Sequence, residues 1–184
     1  GEYADFFRKI FDEGKDILHL TLSSGISGSY NSACIAAEQV REEYPNRKIY
    51  VVDSLAASSG YGLLVDTRAD RRDAGESIDE LYAWVCENKK KLQHWFFTSD
   101  LTFFIRGGRV SKAAGFFGGM LGICPLLNVD YEGHLTAREK VRTKKKVIQR
   151  IVQKMEENAE GGLAYSGKCY ICQSECMDCL LYTS

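Results

Sequence analysis

One stretch decides the fold of the first half of this chain: Ile17-Leu-His-Leu-Thr-Leu-Ser-Ser-Gly-Ile-Ser-Gly-Ser-Tyr-Asn-Ser-Ala33. Residues 17–22 form an apolar run of strand length, and the residues from Ala33 onward have the composition of a helix. Two glycines and four serines, Ser23, Ser24, Ser27 and Ser29, lie within the seven residues that follow the apolar run. This order gathers backbone amides at the positive end of a helix, which favours binding of an anion such as a carboxylate or a phosphate.

The same serines have a simpler interpretation, because serine is a preferred residue at the start of a helix. One serine would satisfy that need, and four serines around two glycines exceed it. The residues alone therefore leave both a helix cap and an anion site open.

Composition excludes several classes of function. Hydrophobic residues make up 45% of the 184 residues and charged residues 27%, which is ordinary for a globular protein. A net charge of −1 gives no field that would attract nucleic acid or an anionic membrane. The uncharged stretch at residues 113–128 is broken by four glycines and a proline, so we expect no integral membrane segment. Seven cysteines without a signal-peptide pattern indicate the cytoplasm.

Helices and short apolar strands alternate in the first half of the chain. We predict helices at 2–13, from the serine loop to about Glu43, at 58–73 and at 77–92, with strands at about 16–22 and 48–53. Ser77 and Glu80 form a capping-box pattern at the start of the last of these helices. The alternation predicts an α/β domain with a parallel sheet, residues 1–94.

The pattern changes after residue 94. We predict a strand at 95–98, short helices at 100–108 and 111–121, a hairpin of strands 124–130 and 134–141, a helix from Thr143 to about Asn158 and a strand at 168–173. Hairpin strands with helices beside them predict an α+β domain with a largely antiparallel sheet, residues 95–178.

Four segments resemble the DegV family of bacterial fatty-acid-binding proteins, which includes FakB, the acyl-binding subunit of fatty acid kinase. They are Thr21–Ala33, Val51-Val-Asp-Ser54, Thr98-Ser-Asp-Leu-Thr-Phe-Phe-Ile-Arg-Gly-Gly-Arg-Val-Ser111 and Lys140-Val-Arg-Thr-Lys-Lys145. The Gly-Gly-Arg segment with its hydrophobic lead-in is the most specific. The resemblance implies a protein that binds a long-chain fatty acid, presents its carboxylate to a separate fatty acid kinase for phospholipid synthesis, and performs no chemistry itself. It implies no cofactor.

The resemblance also implies roles for particular residues. Ser27 is the expected hydroxyl ligand of the fatty acid carboxylate, together with Ser24, Gly28 and Ser29, and Ser29 replaces the family's usual threonine. Arg109 and Arg142 match family positions near the site that the kinase visits, although a solvated turn is the simpler interpretation of the arginines around Gly107 and Gly108.

Two further residues follow from their place in the predicted fold. Asp53 and Ser54 end the second strand, where α/β folds place ligand contacts, and they equally fit a helix cap. We expect both to be secondary site residues.

A fatty acid needs apolar surroundings for its chain. The second half of the sequence offers Phe103, Phe104, Phe117, Leu121 and Leu126, with glycines between them that leave space for an acyl chain. The simpler interpretation is that these side chains form the core of their own domain.

The two ends of the chain depart from the family. Members begin with a strand that this sequence lacks and continue beyond residue 184 into a segment that contains a histidine. We therefore expect a fragment that lacks both ends, in which residues 179–184 are a non-native tail.

Two other functions remain open. Ser27 is the expected nucleophile of a serine acyl hydrolase, although Ser29 replaces the last glycine of the G-x-S-x-G motif and none of the three histidines is marked as a base. Cys169, Cys172, Cys176 and Cys179 have the spacing of a zinc-binding interaction module. If residues 168–173 form a strand, however, Cys169 and Cys172 point to opposite sides of it.

Overall fold

The computed structural model describes residues 1–110 and 122–174. Their contacts divide into two units: residues 1–57 with 61–92 form unit 1, and residues 58–60 with the chain from Gln93 onward form unit 2. The predicted helix at 111–121 and the predicted tail at 179–184 lie outside the described residues, as do Phe117, Leu121, Cys176 and Cys179. None of the helices in the described ranges has the length and hydrophobicity needed to span a membrane.

Unit 1 is a two-stranded parallel sheet with helices on both faces. The elements are α1 (Glu2–Asp12), β1 (Ile17–Thr21), α2 (Ser29–Glu43), β2 (Ile49–Asp53), α3 (Ser58–Asp73), α4 (Ile78–Asn88) and a 3₁₀ turn at Lys89–Lys91. The first three residues of α3 are assigned to unit 2, and the helix from Tyr61 onward belongs to unit 1. β1 and β2 pair in register from Ile17 with Ile49 to Thr21 with Asp53. The predicted capping box is present at α4, since Ser77 accepts the amide of Glu80 and the Glu80 carboxylate accepts the amide of Ser77.

The alternation of side chains along the two strands supplies a core on each face. Ile17 and Ile49 point to one face, where they pack against Phe7 and Phe11 of α1 and the alanines of α2. The other face is covered by helices α3 and α4, and its buried residues are Leu20, Val52, Leu64 and Val85. A parallel sheet buried on both faces explains why both strands read as continuous apolar runs.

Unit 2 contains a three-stranded antiparallel sheet in the order β3–β4–β5. Its elements are β3 (Trp95–Phe97), α5 (Thr102–Arg106), β4 (Ile123–Val129), β5 (Leu135–Arg142), α6 (Lys144–Asn158) and a 3₁₀ turn at Gly162–Ala164. One face buries Cys124, Leu126 and Val147 beneath α6. The other face buries Leu101, Val110 and Leu127. The predicted fold class, parallel α/β followed by antiparallel α+β, is confirmed.

The predicted strand at 168–173 is wrong. These residues have no regular secondary structure, and the two sheets of the described chain are built from β1 to β5 alone. Tyr170 and Ile171 are exposed. A segment with alternating apolar residues forms a strand only where a neighbouring strand provides hydrogen-bond partners. The sequence of the segment alone does not show whether such a neighbour is present.

Adjacent phenylalanines on α1 test this packing. Phe7 is fully buried and Phe6 is 53% exposed. We expect Phe7→Ala to lower the free energy of unfolding by about 3–5 kcal/mol, because it leaves a cavity. Phe6→Ala should change it by less than about 0.5 kcal/mol. Urea unfolding of both variants measures the difference, and Phe7→Leu serves if the alanine variant does not fold. Equal losses in the two alanine variants would contradict the placement of α1.

Candidate functional site

Two loops meet at one edge of the parallel sheet in unit 1. The loop at 22–28 follows β1, and the loop at 54–57 follows β2. The last residues of the two strands, Thr21 and Asp53, are register partners. Because the strands are parallel, both loops leave the sheet on the same side, which is where α/β folds place their ligands.

The Asp53 carboxylate joins these two loops. Its Oδ1 accepts the amide of Ser24 at 3.1 Å from the first loop and the amide of Leu55 at 2.9 Å from the second. The amide of Ser23 donates to the carbonyl of Ala56 at 2.9 Å and adds a second link. Asp53 thus links the two loops and fixes their positions relative to each other.

Two buried serines complete the scaffold of the loops. Ser23 and Ser54 are fully buried. The hydroxyl of Ser23 accepts the amide of Gly25, and the hydroxyl of Ser54 accepts the amide of Ala56, each at 3.1 Å. A buried hydroxyl that is committed to a backbone amide stabilises a turn. Ser54 therefore lies in the scaffold, below the surface of the loops.

Ser27 is placed differently. It is half-buried, and its Oγ accepts the amide of Ser29 at 3.2 Å. A hydroxyl has one proton to donate besides its lone pairs, and the bond to the Ser29 amide does not use that proton. The helix that follows begins at Ser29 with Gly28 as its N-cap and has no side-chain cap hydrogen bond. Ser27 thus accepts the first amide of α2 from one residue before the N-cap position, so the cap interpretation of the motif stays open beside the anion site.

Further donors lie around Ser27 at the start of α2. The first intrahelical bond of this helix runs from the amide of Ser32 to the carbonyl of Gly28 at 3.1 Å. The amides of Tyr30 and Asn31 precede it, in the turn where a helix offers no carbonyl of its own. The Oγ of Ser29 is buried and has no hydrogen-bond partner among the described residues. The structure thus gathers Ser27, Gly28 and Ser29 at the positive end of a 15-residue helix.

Ser24 lies in the same loop. Its side chain is exposed, and its amide is held by Asp53.

Sequence reasoning missed one residue of this edge. The ammonium of Lys89 donates to the carbonyl of Asp53 at 2.9 Å and brings a positive charge to the end of β2. Lys89 stands in the run Lys89-Lys90-Lys91, which reads as a solvated helix end, and no local signal marks the first of the three lysines.

None of the described contacts supplies a catalytic base for Ser27. His19 lies on β1 and packs against the rings of Tyr3 and Phe7, whose centroids are 5.3 and 5.2 Å from its own. Burial lowers the pKa of His19, and the nearby Arg68 lowers it further. His94 and His134 belong to unit 2, where burial lowers the pKa of His94 to about 4. The hydroxyl of Ser27 is engaged by an amide, whereas a hydrolase needs it to be engaged by an imidazole.

The arginines named from sequence lie in unit 2. Arg109 is exposed and donates to the carbonyl of Gly107, within the turn that Gly108 forms at a φ of 71°. Arg142 is the last residue of β5 and is exposed.

The described apolar residues that were expected to contact an acyl chain do not share one surface. Phe103 is 78% exposed on α5, and Phe104 packs against Phe96 with ring centroids 5.9 Å apart. Leu126 is fully buried beneath α6, on the opposite face of the sheet from Phe104. A single channel along one face of this sheet would therefore contact only one of these two residues. Phe117 and Leu121 lie outside the described residues.

The cysteines expected for a zinc site are only partly described. Cys169 and Cys172 are exposed free thiols, and Cys176 and Cys179 lie outside the described residues. No group of three or more histidine, cysteine or acidic residues with the arrangement of a metal site occurs in residues 1–110 and 122–174.

The link between the two loops can be tested through Asp53. We expect Asp53→Ala to lower the free energy of unfolding by about 2 kcal/mol, because two amides lose a charged acceptor. Hydrogen exchange at the amides of Ser24 and Leu55 should accelerate. Asp53→Asn keeps a side-chain oxygen and should retain most of the protection. Unchanged exchange at both amides in Asp53→Ala would show that the carboxylate does not hold the loops.

Comparison with known proteins places this geometry in a family. The DegV domain-containing protein YteA of Lactococcus lactis is 41% identical over 178 residues, which are 94% of this chain and 62% of that protein. A DegV lipid-binding protein from Thermotoga maritima has a similar structure, with a TM-score of 0.73 and 32% identity over 85% of this chain and 53% of that one. The fatty acid kinase B3 protein of Streptococcus pneumoniae, solved with linoleic acid, has a TM-score of 0.75 and 31% identity over 84% of this chain and 55% of that one.

The chain thus spans between about half and three fifths of the length of these proteins. A sequence profile described as "Uncharacterised protein, DegV family" matches residues 1–180, nearly the whole chain. The chain is a member of the DegV family.

Proposed function

We propose that this protein binds a long-chain fatty acid, holds its carboxylate at the serine loop after β1, and presents that carboxylate to a fatty acid kinase in the cytoplasm. The kinase forms the acyl phosphate, which feeds phospholipid synthesis, and the protein itself performs no chemistry. The ligands of the carboxylate are the hydroxyls of Ser27, Ser29 and Ser24 and the backbone at Gly28. Solved members of the family with 31% and 32% identity, one described as lipid-binding and one loaded with linoleic acid, support the class of ligand.

The hydrogen bonding of Ser27 carries this proposal. The hydroxyl of Ser27 is aligned by the amide of Ser29 and retains its own proton as a donor. The buried Oγ of Ser29 lies in the same turn without a partner among the described residues, and a bound oxygen would satisfy it. A carboxylate offers two oxygens and no proton at neutral pH, so it complements this set of donors.

The energies favour a carrier in which burial of the hydrocarbon chain drives binding and the serines orient the bound fatty acid. Burial of about fifteen methylenes contributes roughly 12 kcal/mol at ~0.8 kcal/mol each, before the costs of association. One hydrogen bond to the carboxylate contributes about 1.5–3 kcal/mol. The hydroxyls are thus too weak to capture the lipid alone, but they fix which end of it reaches the kinase.

The electrostatics of the loop suit a carboxylate that must react later. The Asp53 carboxylate is already compensated by two amides, and the Lys89 ammonium lies at the carbonyl of the same residue. The positive end of α2 supplies a further favourable potential without a formal charge. A carboxylate bound in this way stays ionised, because every group around it donates hydrogen bonds to the charged form.

Replacement of Ser27 tests the head-group site. We expect Ser27→Ala to weaken palmitate binding about 10- to 150-fold, the equivalent of one charge-assisted hydrogen bond of about 1.5–3 kcal/mol. Ser32→Ala is the matched control, since Ser32 is exposed one turn further along the same helix. Its affinity should equal that of the unchanged protein. Fluorescent fatty-acid displacement measures both variants.

Two outcomes of that experiment would contradict the proposal. The first is equal palmitate affinity in Ser27→Ala and Ser32→Ala. The second is covalent labelling of Ser27 by a fluorophosphonate probe, since a carrier serine without a base should not react, and labelling would favour the acyl hydrolase.

The presenting role is tested through the two arginines that flank Gly107 and Gly108. We expect Arg109→Ala to lower the rate of acyl phosphate formation severalfold, in a reaction with ATP and a bacterial fatty acid kinase, because an exposed positive side chain speeds encounter with an anionic partner. Its palmitate affinity should not change. Arg106→Ala, an exposed arginine of the same turn, should change neither quantity.

Trapping of the acyl phosphate with hydroxylamine measures that rate. No acyl hydroxamate from the unchanged protein, despite tight palmitate binding, would reject the presenting role and leave fatty-acid binding in place.

A further inference from the structure

Lys89 lies at the end of β2 without being one of the proposed ligands of the carboxylate. Its Nζ donates to the carbonyl of Asp53 at 2.9 Å. The carboxylate of the same Asp53 accepts the amides of Ser24 and Leu55. One residue thus connects the ammonium to both loops at this edge of the sheet, and all of these residues belong to unit 1.

A structural role is the simpler interpretation of this contact. Lys89 is the C-cap of α4, where the end of a helix favours a positive charge. The carbonyl of Asp53 points away from β1, because the parallel ladder uses the flanking residues, as in the bond from the Ser54 amide to the Thr21 carbonyl. Charged side chains commonly protect a strand edge of this kind.

The opposite end of the same strand edge has a matching contact. Nη2 of Arg41 donates to the carbonyl of Ile49, the first residue of β2, at 2.9 Å. Ile49 and Asp53 are separated by about 13 Å along the strand, whereas salt at physiological strength screens charges over about 8 Å. Arg41 and Lys89 therefore cap one edge in the same way, Lys89 at the end that carries the serine loop and Arg41 at the other end.

The charge of Asp53 sets a requirement at the end with the serine loop. Two amides stabilise its carboxylate, but amides are neutral and leave its formal negative charge in place. A fatty acid carboxylate held by Ser27 brings a second negative charge to the loop that contains Ser24. Two carboxylates that share a site disfavour each other's ionised form. A cation fixed beside Asp53 offsets this repulsion.

We propose that Lys89 is a specificity-determining residue, whose ammonium offsets the charge of Asp53 and lets this edge accept an ionised head group in preference to a neutral one. This role rests on the proposed fatty-acid binding and adds the basis for selecting a carboxylate. Lys89 acts through the charge of Asp53 and is not itself a ligand. The serine hydroxyls do not make this selection, because a hydroxyl can donate to the oxygen of an alcohol as well as to a carboxylate.

The affinities for palmitate and hexadecanol, whose carbon chains are equally long, test this selection. We expect Lys89→Gln to lower the ratio of palmitate affinity to hexadecanol affinity about tenfold, because glutamine keeps a donor for the Asp53 carbonyl and loses the charge. The affinity for hexadecanol should not change. A purely structural role would lower both affinities together and leave their ratio unchanged. Displacement of a bound fluorescent lipid measures both affinities in each variant.

Matched variants separate the charge of Lys89 from its contact. Lys89→Arg keeps the charge and should keep the ratio. Arg41→Gln removes the matching contact at the far end of β2 and should also keep the ratio. Lys89→Gln combined with Asp53→Asn removes both charges and should restore most of the ratio. If Lys89→Gln does not fold, Asp53→Asn alone carries the test, since it removes the repelling charge and should raise the ratio severalfold.

Four results would overturn the role of Lys89. They are an unchanged ratio in Lys89→Gln, an equal fall in Arg41→Gln, an unchanged ratio in Asp53→Asn, and a double variant whose ratio stays as low as that of Lys89→Gln. In each case, palmitate binding that still depends on Ser27 would leave the proposed function in place. An unchanged protein that binds no palmitate would reject the proposed function and the role of Lys89 with it.

Discussion

The carboxylate of Asp53 is the contact on which the serine loop depends. It ends β2, and its Oδ1 accepts amides from the loop after β1 and from the loop after β2. Two parallel strands bring two loops to one edge of a sheet, but they do not fix the conformation of either loop. A charged acceptor shared by both loops does, because each amide would otherwise lose a strong hydrogen bond. The strained backbone of Leu55, at a φ of 53°, is retained beside this contact.

The serine hydroxyls near this edge fall into two groups, which differ in whether the hydroxyl proton is accessible from outside the loop. Ser23 and Ser54 are fully buried and satisfy amides of their own turns, so they stabilise the loops and have no open side. Ser27 also accepts an amide, but it is only half-buried, so its proton can reach a ligand. Sequence composition cannot separate these roles, since all four serines and Ser54 carry the same group. The geometry of each turn separates them.

The predictable part of the fold is the part that local periodicity controls. Apolar runs bounded by Gly, Pro and polar turns were sufficient to predict β1, β2 and the hairpin of β4 and β5. The pair Ser77 and Glu80 was sufficient to predict where α4 begins. Features that depend on a distant partner were not predictable. The segment 168–173 has the pattern of a strand without a strand beside it, and Lys89 reaches Asp53 across 36 positions of sequence. Leu126 and Leu127 are adjacent and both fully buried, and strand alternation puts them on opposite faces. Burial of both faces needs the elements that cover them, which the strand's own residues do not specify.

A site of hydroxyls and amides also fits the chemistry proposed for the bound carboxylate better than an ion pair would. In the proposed function, a carboxylate oxygen must attack the γ-phosphorus of ATP while ADP leaves. A guanidinium that held both oxygens would withdraw electron density from the nucleophile and would have to be displaced for attack. Neutral donors orient the group at about 1.5–3 kcal/mol for each hydrogen bond to a charged acceptor and leave it more nucleophilic. The exposed arginines, Arg109 and Arg142, belong to unit 2 and are not among the proposed ligands of the carboxylate. In this proposal the direct ligands of the attacking carboxylate are uncharged donors, and the Lys89 ammonium at the same edge is engaged by the carbonyl of Asp53.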